Sequence, residues 1–343
     1  MRVYYYIVRR LLLAIPAILA VTALVFFLTR AAGDPVAIYT SPEMDRETIE
    51  MLREVYGLNK PVYLQYFYYL NGLLHGDWGY SHTVNMPVIA AISRFLPATL
   101  ELGLVSFIIT IVLGIQLGTL AAVHREKPID IASRLFAIGG FSVPRFWLGI
   151  VLVYVFYYLL GLVSPGRLAI NLIVEYFPPH GNFQVYTGFY VVDSILNGNL
   201  LVFRDSIIHL VLPALTMAYT NVAILTRVVR SSMLRALNED YILTAKAKGV
   251  DRNTIVKKHA LRNALISTIT MTGLIFAEII AGSVLTETVF AWPGIGAWAA
   301  RCAMMLDTAG ILGFALFIGV SFIIINIAVD VLYAYLNPRI EVA

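Results

Sequence analysis

Apolar residues in this chain run in blocks of bilayer length, separated by polar and aromatic loops. Residues 11–29, 102–123, 146–163, 207–226 and 309–329 carry no formal charge, taking His209 as neutral, and 264–285 is interrupted only by Glu278. A helix satisfies its own backbone in hydrocarbon and needs about 20 apolar residues to cross it. The pattern predicts an all-α integral membrane protein with six spans, at 1–30, 97–123, 131–163, 206–229, 264–286 and 309–336. The first block follows Arg9-Arg10, as a signal peptide would. Its apolar run is longer than a usual signal core, however, and no clean small-x-small cleavage site precedes Gly33, so it is read as a retained span.

The segments between these blocks are not mere connectors. In 31–96, Ser41-Pro42-Glu43 predicts a helix start and Gly57 its end, followed by the aromatic run 63–70, suited to a membrane interface. Residues 164–205 are rich in Pro, Gly, Asn and aromatics. Both segments read as a folded cap on the bundle, as a docking surface, or as both. In 287–308, Pro293 and nearby glycines interrupt any continuous span and predict a short external or re-entrant helix. Residues 239–264 are polar and basic. They predict two short helices broken at Gly249, with Asp251 as N-cap of the second. Gly114 and Gly118 form one small-xxx-small pair, read as ordinary helix packing.

Composition agrees: 59% of residues are hydrophobic and 13% charged, against about 25% charged in soluble domains. Lys and Arg concentrate on one side of the predicted spans, at Arg2, Arg9, Arg10, Arg125, Lys127, Arg134 and nine positions from Arg227 to Arg262. That bias places both termini and the 239–264 island in the cytoplasm. The net charge of +4 reflects this bias and gives no reason to infer nucleic-acid binding. Cys302 is alone, which excludes an intrachain disulfide or cysteine cluster. Scarce Gln leans slightly toward a thermophilic source.

Several motifs occur in order along the chain: Gly33-Asp34-Pro35, Tyr56-Gly57-Leu58, Gly76-Asp77-Trp78-Gly79, Leu96-Pro97-Ala98-Thr99-Leu100-Glu101, Thr286-Glu287-Thr288-Val289-Phe290-x-Trp292-Pro293-Gly294 and Asn337-Pro338-Arg339-Ile340. With Thr244-Ala245-x-Ala247-Lys248-Gly249 and His259-Ala260-Leu261-Arg262-Asn263-Ala264, they resemble the ABC-importer permeases of the dipeptide/oligopeptide (peptide/nickel) transport family, first permease subunit. The Glu of the general Glu-Ala-Ala-x-x-x-Gly loop is absent here. The resemblance implies a type I importer permease in the cell membrane that pairs with a second, homologous permease. It implies two ABC ATPase subunits that bind ATP and Mg, and an extracytoplasmic substrate-binding protein. The cargo so implied is a di- or oligopeptide, with oligosaccharides and nickel complexes as alternatives.

The chain itself shows no G-x-x-x-x-G-K-[ST] phosphate loop, no H-E-x-x-H and no metal-ligand spacing among its six His. Neither catalysis nor a cofactor in this chain is expected. By resemblance, Tyr241, Thr244, Ala245, Ala247, Gly249, Val250, His259 and Arg262 form the ATPase-coupling element. Tyr241, Ala245, Gly249 and Val250 would be covered by the partner, and Lys246, Lys248, Lys257 and Lys258 would rim the contact. The competing reading is a basic helix lying on anionic headgroups; the lack of a broad apolar face disfavours it. Ionisable groups inside spans are functional candidates. Arg145 and Glu278 read equally as a structural pair or as part of a pathway for charged cargo. Asp330 reads as a structural hydrogen-bonding residue, and Glu101 and His209 as interfacial. A stand-alone secondary transporter or channel is the alternative of a different class. It predicts broken helices in matching halves.

Overall fold

The structure is a computed structural model that describes residues 3–40, 43–280 and 284–336. Its helices are α1 (Val3–Ala32), α2 (Arg46–Val55), α3 (Val62–Leu74), α4 (Val88–Val123), α5 (Pro128–Ser142), α6 (Arg145–Val153), α7 (Ile170–Tyr176), α8 (Tyr190–Leu196), α9 (Leu200–Leu237), α10 (Asp240–Ala247), α11 (Arg252–Thr254), α12 (Leu261–Ile280), α13 (Val284–Val289), α14 (Ile295–Met304) and α15 (Thr308–Leu336). A π-helical turn, Tyr154–Leu159, extends α6, and another, Ile255–Ala260, joins α11 to α12. The two-residue strands β1 (Tyr80–Ser81) and β2 (Met86–Pro87) pair antiparallel before α4.

Among the described residues, four helices are long and apolar enough to cross a membrane: Val8–Ala32, Val88–Val123, Leu200–Leu237 and Thr308–Val329. The expected continuous span at 131–163 takes another form. Its two arms, Pro128–Ser142 and Arg145–Leu159, meet at 95°. The cause is local: Val143, preceding Pro144, sits at φ −96° and ψ 117°, since the proline ring drives its predecessor out of the helical region. Hydropathy does not register this bend because both arms are apolar. The 20-residue α12 packs between α9 and α15.

Helix α9 is the axis of the bundle, in contact with α4, α5, α6, α8, α12 and α13. Small residues permit the close approaches. A Cβ added at Gly118 would stand 2.6 Å from Val229 Cβ, and one at Gly140 would stand 2.4 Å from Ala223 Cβ. Gly114 and Gly118 therefore serve packing within the chain, as their spacing predicts. Leu225, Val229 and Met233 of α9 are fully buried in one apolar cluster that continues into Ile242, Ala245, Ile255 and Ala260.

The long segments between the spans are folded. Residues 164–205 are fixed to the bundle by Arg167, which pairs with Glu101 and donates to the Gly188 carbonyl at 2.8 Å while stacking 3.7 Å over Tyr190. Glu101 also accepts from the Val191 N–H at 2.8 Å. His209 lies 3.1 Å from Ser164 Oγ and 3.2 Å from Asp205. Glu101 and His209, expected at an interface, are thus buried anchors of this cap. In the first segment, Tyr66 of α3 reaches Thr22 of α1 at 3.0 Å. Ser41 and Pro42, expected to start a helix, lie outside the described residues. Helix α2 begins at Arg46, and Gly57 follows its end at φ +63°.

Two of the ordered sequence motifs meet in space. Thr99 Oγ donates to Glu287 Oε1 at 2.8 Å and accepts from the Ile295 N–H at 2.8 Å. The Ala297 N–H reaches Glu287 Oε2 at 2.9 Å, and Trp292 Nε1 donates to the Ala98 carbonyl at 2.8 Å. These bonds hold the short helix α14 against α4, and so account for the residue types in both motifs. Asn337-Pro338-Arg339-Ile340 lies outside the described residues.

Candidate functional site

Helix α9 stops at Leu237, and the chain turns straight into α10. The end of α10 is a Schellman arrangement: the Gly249 N–H reaches the Lys246 carbonyl at 3.0 Å and the Val250 N–H reaches the Ala245 carbonyl at 3.1 Å. Gly249 takes φ +76°, a conformation that costs glycine nothing and L side chains more. Asp251 then caps the next helix by accepting from the Thr254 N–H at 2.8 Å. The Thr254 side chain, followed by this N–H, holds the Asp251 carboxyl below its usual range. The predicted break and cap are therefore both present.

The pair of short helices is anchored inward. Ile242, Ala245, Ile255 and Ala260 are buried against the C-terminal end of α9, with Val250 and Val256 partly covered beside them. Arg252 Nη2 donates to the Val123 carbonyl, the last residue of α4, at 3.3 Å. A groove of about 500 Å³ remains between this pair and the C-terminal ends of α4 and α9, lined by Arg125, Leu234, Lys246 and Ile255 among others. Ala245, expected to meet a partner, instead packs into the chain's own core at 8% exposure. The spacing of Ile242 and Ala245, three apart on one helical face, was the signal for it.

The outward ridge consists of Tyr241, Leu243, Thr244, Ala247, Lys248 and Gly249, all exposed. Leu243, absent from the expected set, is among the most exposed apolar side chains of this pair at 58%. A Cβ at Gly249 would meet no atom within 4 Å. Lys246, Lys257, Lys258 and Arg262 are exposed around the ridge, and His259 is half-buried. The arrangement is a rigid projection with a narrow surface of small and apolar residues and a basic rim. Its chemistry is that of contact, not of bond making.

A second cluster lies within the bundle. Arg145, first residue of α6 after the Pro144 bend, reaches Glu278 of α12 at 2.7 Å and Asn221 of α9 at 3.3 Å. The sequence left pairing and pathway equally open, and the geometry makes the pair direct. Asn221 is buried, whereas the Glu278 side chain is half exposed. Asp330 lies in α15, but its side chain is outside the described residues. Sequence reading missed Asp130, a fully buried carboxylate held by Arg230 at 2.6 and 2.8 Å, which ties the start of α5 to α9. Its partner stands 100 positions away, so no local pattern marks it.

Comparison with known proteins adds the following. Residues 114–342 match the family described as binding-protein-dependent transport system inner membrane component. Residues 3–103 match the N-terminal region of such membrane components. The chain is 41% identical over 309 residues to the probable D,D-dipeptide transport system permease protein DdpB of Escherichia coli, covering 90% of this chain and 88% of that one. It is 37% identical over 344 residues to the dipeptide transport system permease protein DppB of the same organism, covering 98% of both. To the oligopeptide transport system permease protein AppB of Bacillus subtilis it is 37% identical over 338 residues, covering 98% and 99%.

Proposed function

This chain belongs to the binding-protein-dependent transport system inner membrane component family, and from that premise we propose that it is the first permease subunit of an ATP-driven importer of di- or oligopeptides. The relatives named above are dipeptide and oligopeptide permeases over nearly their whole lengths. The observation that carries the mechanism is the projection at 240–260, capped at both internal ends and rooted in the core of α9. An ATPase pair that closes on ATP transmits force only to an element that does not yield. The apolar anchors supply that stiffness, and the ridge from Tyr241 to Gly249 supplies the contact.

In this reading α12 is a sixth span, both termini and the projection are cytoplasmic, and a second homologous permease completes the pathway. ATP and Mg are bound by two partner ATPases. Their closure drives the projections of the two permeases together and turns the cavity outward; hydrolysis resets it inward. The folded outer segments at 31–96 and 164–205 receive an extracytoplasmic binding protein. The Arg145–Glu278 pair borders the pathway with the Glu278 carboxylate facing it. A secondary transporter with matching broken helices fits less well, since α5–α6 is the one bent pair among the described residues.

The test is to purify the tagged chain gently from its native membranes, identify what accompanies it, and reconstitute peptide uptake. Two ATPases and a second permease, with uptake that requires ATP and a binding protein, are expected. A chain that purifies alone and moves solute without ATP would overturn the proposal.

A further inference from the structure

A groove of about 460 Å³ runs between α5 and α9 and shares no lining residue with the coupling ridge or the Arg145 cluster. On α9 it lies in the half that leads directly into α10, and on α5 it runs along residues 133–142, beyond the start of that helix, which follows the Val123 carbonyl bound by Arg252 of the projection. One wall is apolar, formed by Ala137, Ile138 and Phe141, of which Ile138 and Phe141 are exposed. Arg134 stands one turn before Ile138 on the same helix, and α9 opposite carries Arg227 and Arg230.

Charge is unbalanced at this place. Arg230 is taken up by Asp130, which also accepts from the Glu126 N–H at 3.0 Å and is fully buried. Arg134 stands 3.9 Å from that same carboxylate and is half exposed. Arg227 has no carboxylate partner among the described residues and lies 4.6 Å over the Phe141 ring. Of the three guanidiniums two thus share one carboxylate and the third has none among the described residues. Thr226 also lines the groove, and its buried hydroxyl has no hydrogen-bond partner among the described residues.

Depth favours a headgroup. Helix α9 has 38 residues, about 57 Å at 1.5 Å per residue, against roughly 30 Å of hydrocarbon. Arg227 is about 15 Å from its inner end, where the helix leaves the hydrocarbon. A free anion would engage the guanidiniums and leave the apolar wall bare. A phospholipid covers both, with its phosphate at Arg134 and Arg227 and an acyl chain along Ile138 and Phe141. We propose that this groove binds one anionic phospholipid of the adjacent leaflet, the excess of guanidiniums selecting it over zwitterionic lipids.

The test uses the chain in its purified complex, exposed to equal amounts of phosphatidylglycerol and phosphatidylcholine, with retained lipid read by native mass spectrometry. The wild type is expected to retain phosphatidylglycerol in excess, and inorganic phosphate should not displace it. Arg134→Gln with Arg227→Gln should weaken retention by about fivefold per arginine, while the double lysine variant should keep most of it. Equal retention of the two lipids by the wild type, displacement by phosphate, or unchanged retention in the double Gln variant would each overturn the proposal. The wild-type competition decides even if the double Gln variant does not assemble.

Discussion

Substitution at Gly249 separates the stiffness of the projection from its contact with a partner. The position has φ +76° and open space where a Cβ would be. Within this chain, the cost of Gly249→Ala is therefore conformational. An L residue in the left-handed region costs about 1–2 kcal/mol, a shift of about 5- to 30-fold in the population that keeps the turn. Asn and Asp occupy this region more readily than other side chains, so Gly249→Asn and Gly249→Asp sit at or below the lower bound. A covering ATPase would leave no room for any of these side chains. Membrane level and melting temperature should stay near wild type in the Asn and Asp variants. Peptide uptake and binding-protein-stimulated ATP turnover should fall to about one hundredth or less, beyond what backbone strain accounts for. The assay pairs uptake in reconstituted vesicles with immunoblots of membrane protein. Normal uptake by Gly249→Asp, or a loss that merely tracks protein level, refutes the coupling assignment.

Other consequences can be measured in the same system. Arg145→Ala should impair the protein more than Arg145→Ala with Glu278→Ala, with a coupling of about 1 kcal/mol because Glu278 is half exposed; impairments that simply add would exclude a direct pair. The Glu101–Arg167 pair is buried on both sides, so Arg167→Leu alone should destabilise by about 3–5 kcal/mol. Limited proteolysis should then cut within 164–205, and the double change to Leu should restore much of the protection. Asp251 is held low by Thr254, so its cap is intact above the ordinary carboxylate range and is lost as pH falls through the lowered value. Protection of the Thr254 amide, taken relative to the intrinsic exchange rate at each pH, should fall only under that acidification, and low protection already near neutral pH would contradict the cap.

The apolar blocks were legible because hydrocarbon forces every backbone group to bond within its own helix, leaving length and composition as sufficient signals. Gly249 and Asp251 were legible for a similar reason: an abrupt helix end and start each demand a particular residue type. The right-angled turn between α5 and α6 was written in Pro144 but masked by the unbroken hydropathy around it. The inward face of the projection escaped because four small or aliphatic side chains suffice to anchor so short an element. Glu101 with Arg167, Asp130 with Arg230 and Thr99 with Glu287 escaped for a different reason. Each joins positions 66 to 188 residues apart, and only the fold brings them together.

Helix α9 is one continuous screw from the cap at 164–205 to the projection, in contact with α8 and with the 255–260 turn. Its register is therefore a shared phase for both faces of the membrane. Inserting one residue near Leu225 would advance everything beyond it by 1.5 Å and about 100°. Met233, Ala236 and the projection would rotate away from the cluster that holds them, while the cap above stayed in place. A seven-residue insertion, close to two full turns, would nearly restore the angle but displace the projection by about 10 Å. Length variation among relatives should accordingly accumulate in the loops of 164–205 and stop at Leu200, where the screw begins.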